Sequence, residues 1–351
     1  MSELHANEKN VKRTMTRKSF VKKTSLGALG LNFTWQLQSS ATVASKDITK
    51  IMEGNDFEII IVGGSYSGLS AAMTLGRSLR KTLIIDSGKP CNRQTPYSHN
   101  FITQDGRKPF EIAKDALNQV LNYRTIQTVN DLVTEVQGKD GEFDVITELG
   151  KSYKARKILF ATGVNDLMPD IPGFSECWGI TAIHCPYCHG YEVRDKNTGI
   201  LVNDESADEF ARLVKHWTSN LKIFTNGKAE FDKEPLKKLN VAVIEKSVTQ
   251  IVHLNGHMSS LQFEDGSAYA IDALYHRPAF EQHCSIPQRI GCELTETGHL
   301  KVNEVQKTNV AGIYATGDCT TAFRSVANAV SQGNIGAALL NHELINEKWV
   351  K

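Results

Sequence analysis

The sequence lacks the features that mark several large classes of protein. Its 351 residues carry 40 Lys and Arg against 39 Asp and Glu, a formal charge of +1, so no broad basic surface indicates nucleic-acid binding. Seven cysteines are too few for a disulfide scaffold in a chain of this length. Apolar residues make up 40% of the chain and charged residues 23%, which is typical of a globular protein with room for two domains.

The first 54 residues differ from the rest and lack the apolar run that a membrane span needs. Residues 1–23 hold seven Lys or Arg and two Glu, and residues 24–45 are uncharged but rich in Asn, Gln, Thr and Ser. A basic start followed by a modest apolar stretch is typical of an export signal. Arg17–Lys23 resembles a twin-arginine signal in which Lys18 replaces the second arginine. Two locations follow as hypotheses: periplasmic through this leader, or cytoplasmic.

A strand, a tight turn, a helix and a second strand are predicted over Asp56–Gly88. Ile59–Val62 form a continuous aliphatic run, as expected for a parallel strand that is buried on both faces. Apolar residues then recur at helical spacing, and a second aliphatic strand, Leu83–Ile85, ends at Asp86. The segment is therefore predicted to be a βαβ unit, the context in which a glycine-rich turn can bind a nucleotide.

The turn of this unit has the composition of a dinucleotide-binding loop. Its sequence GGSYSG, residues 63–68, keeps glycine at the first and last positions, while Ser65 replaces the middle glycine. The N–H groups at the start of the following helix can face a pyrophosphate, and Asp86 can accept hydrogen bonds from a ribose. A Rossmann-like unit without a nucleotide is the alternative. The predicted binding residues are Gly63, Gly64, Ser65, Ser67, Gly68 and Asp86.

The same order of elements recurs later in the chain. Gly199–Gly227 is predicted to form a second strand–turn–helix–strand unit, whose helix has a clear apolar face. Near the C-terminus, the strand Gly312–Ala315 is followed by the turn Thr316–Asp318 and by a long helix from about Arg324 to Asn346. The fold class predicted from these patterns is α/β, with two Rossmann-like units.

Residues 184–192, HCPYCHGYE, form the one close cysteine pair, Cys185 and Cys188. The spacing suits a redox disulfide, half of a zinc site, or attachment of a c-type haem because a histidine follows the second cysteine. A zinc site needs four ligands, and the sequence has no second CxxC motif. Two α/β nucleotide units do not build a haem cavity. The pair is interpreted as redox-active, and no metal site is predicted.

Together these motifs resemble the FAD-binding half of the pyridine-nucleotide–disulfide oxidoreductases, over about Asp56–Asn346. The order of the glycine turn, the CxxC, the second unit and the final TGD is similar to that of low-molecular-weight thioredoxin reductases. The resemblance implies an α/β fold of two Rossmann-like domains that bind FAD and NAD(P), the second inserted into the first. It places an FAD-binding domain at residues 55–168 and 281–351, and an NAD(P)H-type domain carrying the CxxC at residues 169–280.

The resemblance also implies FAD as cofactor and extends the set of residues that bind it. CPYCHGYE at 185–192 and DSGKPCNRQTPYSHN at 86–100 are most similar to the subgroup of gliotoxin- and holomycin-type dithiol oxidases. The further FAD-binding residues implied lie in the second sequence, in the ATG turn at residues 161–163, in the TGD turn at residues 316–318 and at the start of the last helix: Arg93, His99, Asn100, Ala161, Gly163, Gly317, Asp318, Ser325 and Val326.

Catalytic roles follow from the same resemblance. Cys185 is implied to exchange disulfides with the substrate, Cys188 to face the flavin, and His189 to take and return the thiol proton, since imidazole titrates near neutral pH. The expected partner is a small dithiol or disulfide, or a thioredoxin-like protein. A homodimer is what the family implies.

The second unit departs from the family pattern. The leading glycine positions of its turn are taken by Val202 and Asp204, and only Ala207 fits. The carboxylates of Asp204 and Glu205 would face a pyrophosphate, so NAD(P)H binding is predicted to be weakened or lost. Electrons would then reach FAD from a dithiol and leave to oxygen. The alternatives are an NADPH-dependent thioredoxin-disulfide reductase and a flavin redox sensor without turnover.

Overall fold

The computed structural model describes residues 54–349, so the predicted leader lies outside the described residues. The helices are α1 Tyr66–Arg77, α2 Pro109–Val120, α3 Phe174–Cys177, α4 Pro186–His189, α5 Ala207–Val214, α6 Glu234–Lys238, α7 Ile286–Arg289 and α8 Val326–Trp349. The strands are β1 Asp56–Val62, β2 Thr82–Asp86, β3 Ile126–Asn130, β4 Val133–Lys139, β5 Glu142–Thr147, β6 Ser152–Phe160, β7 Val164–Asp166, β8 Ala182–Ile183, β9 Thr198–Leu201, β10 Leu221–Phe224, β11 Ala242–Ile244, β12 Val248–Leu254, β13 His257–Phe263, β14 Ala268–Ala270, β15 Ala273–Tyr275, β16 Phe280–Gln282 and β17 Ile313–Ala315.

In the larger sheet, β1 from the start of the described chain and β17 from its last third both pair with β6. Its parallel strands run β3-β2-β1-β6, and β17 pairs with the end of β6, Ile158–Phe160. The beginning of β6 pairs antiparallel with β5, which continues to β4. Because parallel strands end at the same edge of a sheet, the turns after β1, β6 and β17 are neighbours. This edge gathers the glycine turn, the ATG and the TGD.

Helices cover one face of this sheet and buried side chains fill both faces. Ile59 and Ile61 of β1 pack with α1 and α8, while Phe57, Ile60 and Val62 lie in a separate cluster on the other face. A strand that is buried on both faces needs apolar residues at consecutive positions. The aliphatic run 59–62 meets that need, and the predicted βαβ unit is confirmed in this part of the chain.

A second parallel sheet has the order β11-β10-β9-β15-β8, with α5 packed against it. A three-stranded antiparallel sheet, β12-β13-β14, lies between β11 and β15 in sequence. A short antiparallel pair, β7 with β16, joins the two segments of chain that enter and leave this part of the molecule. The fold class is therefore α/β with two Rossmann-like units, the second inserted into the first. None of the described helices is long and apolar enough to cross a membrane.

Candidate active site

The glycine turn after β1 forms a narrow cradle with an acidic side chain beneath it. Gly63 adopts φ +104°, and a Cβ at this position would collide with the carbonyl of Ala161. The N–H of Gly64 donates to Asp86 Oδ1 at 2.9 Å, and the N–H of Gly88 donates to Asp86 Oδ2 at 3.2 Å. Asp86 therefore holds two turns of the edge in place, and the small residues keep the edge open to a ligand.

The TGD turn is fixed against the glycine turn. Ser67 Oγ donates to Thr316 Oγ1 at 2.7 Å, so this predicted cofactor residue ties α1 to the end of β17. The N–H of Gly317 donates to Gln332 Oε1 at 2.8 Å. Ser325, just before α8, accepts a hydrogen bond on Oγ from the N–H of Asn328 at 3.1 Å. These bonds bring the two turns together although they are separated by about 250 positions in sequence.

Asp318 lies at the bottom of this edge beside an ion pair that the sequence did not indicate. Arg324 makes a two-point pair with Asp166, at 2.6 and 2.9 Å, and its Nε lies 3.7 Å from Asp318 Oδ2. Burial raises the pKa of Asp318 to about 6 even though Arg324 opposes the rise. A buried carboxyl group that is incompletely compensated can accept hydrogen bonds from the hydroxyl groups of a bound ligand.

The segment 86–100 reaches from this edge towards the CxxC. His99 Nε2 lies 3.6 Å from Glu192 Oε1, and His99 Nδ1 lies 3.7 Å from Asp105 Oδ1. Arg93 and Asn100 of the same segment have exposed side chains. The structure therefore brings His99 to the CxxC segment, while it leaves Arg93 and Asn100 at the surface.

Cys185 and Cys188 are paired as a disulfide, with Cα atoms 5.3 Å apart. Cys185 precedes α4, and its carbonyl accepts hydrogen bonds from the N–H groups of Cys188 and His189, both at 3.2 Å. Pro186 stands at the first position of α4, where its missing N–H costs no hydrogen bond. The tight turn of α4 thus brings the two cysteines close together.

Two histidines, His184 and His189, flank the disulfide. Both ring nitrogens of His189, and Nε2 of His184, are buried and lack a hydrogen-bond partner. Burial lowers the pKa of His189 to about 4, and the nearby His99 adds to this effect. Burial likewise lowers the pKa of His184 to about 4, with Arg324 adding to the effect. Both imidazoles are therefore neutral at pH 7, and unpartnered polar atoms of this kind indicate a site for a polar ligand.

The residues gathered at this edge of the sheet and beside the disulfide have the chemistry needed to bind FAD. The glycine cradle leaves room for a pyrophosphate at the start of α1, and Asp318 offers a carboxyl group for ribityl hydroxyls. The unpartnered nitrogens of His184 and His189 offer polar contacts beside the disulfide. The predicted residues Ala161, Gly163 and Val326 lie at this same edge, after β6 and at the start of α8.

The corresponding turn of the second unit is closed by its own side chains. Asn203 Nδ2 donates to the carbonyl of Lys228 at 3.0 Å, and its Oδ1 accepts the N–H of Glu230 at 2.8 Å. Asp204 Oδ1 accepts the N–H of Ser206 at 2.8 Å, which is the residue just before α5. Asp204, Glu205, Asp208 and Glu209 also place four carboxyl groups within six positions at the start of that helix.

One acidic cluster among residues 54–349 has the spacing of a metal site. Carboxylate oxygens of Asp140, Glu343 and Glu347 lie within 4.8 Å of one another. The fully buried ammonium of Lys157 lies 2.6 Å from Asp140, 2.6 Å from Glu343 and 2.5 Å from Glu347. Arg156 also pairs with Glu347 and Lys307 with Glu343, so three cations balance the three carboxylates and the cluster is a salt-bridge network around a buried lysine.

Two nucleotide-type α/β units with a disulfide beside one of them define a flavin-dependent disulfide oxidoreductase. The chain belongs to the pyridine nucleotide-disulphide oxidoreductase family, whose model matches residues 57–333. "Thioredoxin reductase sirT" of Leptosphaeria maculans is 31% identical over 309 residues, 82% of this chain and 94% of that protein.

Two solved structures are also similar. A putative thioredoxin reductase TrxB from Bacillus anthracis has 29% identity and a TM-score of 0.80, over 83% of this chain and 99% of that one. An oxidoreductase from Agrobacterium tumefaciens has 33% identity and a TM-score of 0.78 over the same shares. The resemblance to thioredoxin reductases and the flavin-dependent class of enzyme are thus confirmed.

Sequence reasoning missed three residues that lie around the site. Asp166 and Arg324 are 158 positions apart, and neither belongs to a motif used for the prediction. Glu192 was quoted within CPYCHGYE but had no assigned role, because its partner His99 comes from a distant segment. For Glu192, its place four residues after Cys188 was the available signal.

Proposed function

We propose that this protein oxidises small dithiols to disulfides through Cys185–Cys188 and passes the electrons through FAD to oxygen. The observation that supports this most is the disulfide flanked by a buried, neutral and unpartnered His189, in a chain whose second nucleotide turn is closed by its own side chains. We further propose the domain boundaries given above, with FAD bound at residues 55–168 and 281–351.

The exchange steps use the two cysteines in turn. A substrate thiolate attacks Cys185 Sγ, which breaks the Cys185–Cys188 bond and forms a mixed disulfide while Cys188 leaves as a thiolate. The second substrate thiol then attacks the substrate sulfur of the mixed disulfide, so that Cys185 is released and the product leaves as a disulfide. FAD, when bound, would accept the two electrons of the reduced pair and deliver them with two protons to oxygen, giving hydrogen peroxide.

His189 can serve as the acid/base of these steps. Its imidazole is neutral at pH 7 because burial lowers its pKa to about 4, so it can accept a thiol proton. Once the disulfide is reduced, a thiolate at Cys188 would raise the pKa of His189 by attraction between opposite charges. His189 therefore keeps the proton it accepted from the substrate thiol, beside the Cys188 thiolate, until a later step returns it.

The second unit supports the view that NAD(P)H does not supply the electrons. In a Rossmann unit the pyrophosphate lies at the start of the first helix, where free N–H groups and low negative charge favour it. Here Asp204 already accepts the N–H of Ser206, and Asn203 bridges to the loop after β10. NAD(P)H would have to break these bonds and meet four carboxyl groups.

Oxygen consumption with a small dithiol tests the proposal. Wild-type protein loaded with FAD should consume oxygen and produce peroxide when given dithiothreitol, and Cys188→Ser should lose this turnover while it keeps its FAD. Cys284→Ser is the matched control, because Cys284 is a free cysteine outside α4. Full turnover by Cys188→Ser would remove the disulfide from the mechanism.

The names of the relatives favour a second candidate, an NADPH-dependent reductase of a thioredoxin-like protein. In that reaction electrons run in the opposite direction, from NADPH to FAD and then to the disulfide. Oxidation of NADPH by the wild-type protein in the presence of oxidised thioredoxin, at a rate that Cys188→Ser abolishes, would establish this candidate and reject the dithiol oxidase.

A further inference from the structure

His189 must lose a proton at the end of every cycle of the proposed reaction. While Cys188 is a thiolate, its negative charge keeps the proton on the imidazole. When the disulfide re-forms, that charge disappears, and burial again lowers the pKa of His189 to about 4. Both ring nitrogens of His189 are buried and lack a hydrogen-bond partner. The proton therefore needs a route from a buried side chain to water.

His184 is near His189 but does not offer this route. Burial lowers the pKa of His184 to about 4, with Arg324 and His189 adding to the effect. Its Nε2 atom is also buried without a hydrogen-bond partner. A proton on His184 would thus be as unfavourable as a proton on His189, and equally cut off from water.

His99 is the neighbouring histidine whose contacts reach water. Its charge lowers the pKa of His189, so the two imidazoles are close enough to interact. His99 Nε2 lies 3.6 Å from Glu192 Oε1, and His99 Nδ1 lies 3.7 Å from Asp105 Oδ1. The side chain of His99 is only 19% exposed, whereas those of Glu192 and Asp105 are 40% and 67% exposed. An imidazole can accept a proton on one nitrogen and release one from the other, so these side chains connect the buried site to solvent.

Backbone contacts fix both carboxylates relative to the two histidines. The N–H of Glu192 donates to the carbonyl of His189 at 3.2 Å, so Glu192 lies one turn after the acid/base residue. Asp105 Oδ1, the atom nearest His99, accepts the N–H of Asn100 at 2.7 Å. The loop of His99 and the segment after α4 are thus held in a position where their side chains can exchange a proton.

We infer that His99 relays protons between His189 and water through the carboxylates of Glu192 and Asp105. This inference rests on the proposed function and adds a positioning residue that acts through His189. Over one turnover the dithiol releases two electrons and two protons, and oxygen takes up two of each to give hydrogen peroxide. The relay carries the proton that His189 took from the dithiol out to water, and water supplies the protons that oxygen takes up.

Chemical rescue by imidazole tests the relay, with oxygen consumption on dithiothreitol as the assay. His99→Ala should lower kcat per bound FAD by roughly 10²-fold, the lower end of what a positioned proton carrier contributes, and added imidazole should restore most of this loss. His99→Gln fills the space and keeps hydrogen-bonding groups, so its kcat should fall equally and stay low with imidazole. His342→Gln is the matched control, because His342 is an exposed histidine on α8, and its kcat should not change.

Two results would overturn the inference: wild-type kcat in His99→Gln, or a His99→Ala protein that imidazole does not restore. A second variant tests the relay without changing a residue predicted to bind FAD. Glu192→Gln should lower kcat less than His99→Ala does, because Asp105 remains, and it should show a larger ratio of kcat in H₂O to kcat in D₂O than the wild type. An unchanged kcat and an unchanged ratio would also overturn the relay.

The reaction that the wild type performs separates the relay from the proposed function. A wild type that oxidises NADPH with thioredoxin, and not dithiothreitol, would refute the dithiol oxidase. The relay would then carry protons inwards, and the same variants should give the same losses and the same rescue in NADPH oxidation. Wild-type oxygen consumption that the variants match would overturn the relay and leave the function standing, and a wild type without either activity would overturn both.

Discussion

Replacing Asp318 by asparagine should stabilise the FAD-free protein while it weakens FAD binding. The carboxyl group is buried beside the Asp166–Arg324 pair, and its pKa is raised from 3.8 to about 6. Each pKa unit corresponds to about 1.4 kcal/mol of difference between the two protonation states. The ionised carboxylate therefore destabilises the folded FAD-free protein by up to about 3 kcal/mol at pH 7.

The ionisation of Asp318 should make the stability of the FAD-free wild-type protein depend on pH. Because the folded-state pKa lies above the unfolded-state value, the folded protein holds the proton more tightly, and stability falls as the pH rises from about 4 to above 6. Asparagine cannot ionise, so the Asp318→Asn protein does not lose stability in this way as the pH rises. At pH 7 the FAD-free Asp318→Asn protein should melt roughly 5 °C higher than the FAD-free wild type, and near pH 4 the two should agree.

Thermal unfolding with and without FAD is the assay. Added FAD should raise the midpoint of the wild type by far more than that of Asp318→Asn, since the carboxylate is proposed to bind ribityl hydroxyls. Asp131→Asn is a control of opposite sign, because hydrogen bonds lower the pKa of Asp131 and its ionised form stabilises the fold. A FAD-free Asp318→Asn protein that is no more stable than wild type at pH 7 would refute the reasoning.

Three further outcomes are expected. His189→Asn, which cannot move a proton, should lower kcat for dithiols by roughly 10²–10⁴-fold without loss of FAD, and an unchanged kcat would exclude the acid/base role. Asp166→Asn leaves the buried Arg324 without its two-point partner, so it should lower the free energy of unfolding by about 3–5 kcal/mol, measured by chemical denaturation. A loss below about 1 kcal/mol would show that Arg324 does not depend on Asp166 for its pairing. Asn203→Ala should lower the free energy of unfolding by about 1 kcal/mol. The flavin should stay unreactive to NADPH in this variant because the nearby carboxyl groups remain, and rapid reduction by NADPH would contradict the proposal that these groups exclude it.

Local patterns were enough to predict the nucleotide-binding framework. The aliphatic run 59–62, the glycine turn and the second strand that ends at Asp86 specify a βαβ unit through residues close in sequence. The last helix was predicted from about Arg324 and begins at Val326. Such elements depend on backbone geometry and on burial of one continuous segment, both of which the sequence displays directly.

Long-range contacts could not be predicted in the same way. The pair Asp166–Arg324 and the contact of His99 with Glu192 depend on how separate segments meet in space. The sheet β12-β13-β14 also escaped prediction, because its strands are partly exposed and β14 has only three residues. Asp204 did carry a local signal, since a carboxylate in a glycine position conflicts with pyrophosphate, but the closing bonds of Asn203 needed the fold.

Anaerobic mixing distinguishes the two possible electron donors to FAD, a dithiol and a reduced nicotinamide. FAD-loaded protein is mixed without oxygen with excess NADPH, with excess NADH, or with dithiothreitol, while the flavin absorbance is followed. We expect the dithiol to bleach the flavin on the timescale of turnover, and both nicotinamides to leave it oxidised. Rapid bleaching by NADPH or NADH, with none by the dithiol, would contradict the account and indicate an ordinary nicotinamide-dependent reductase.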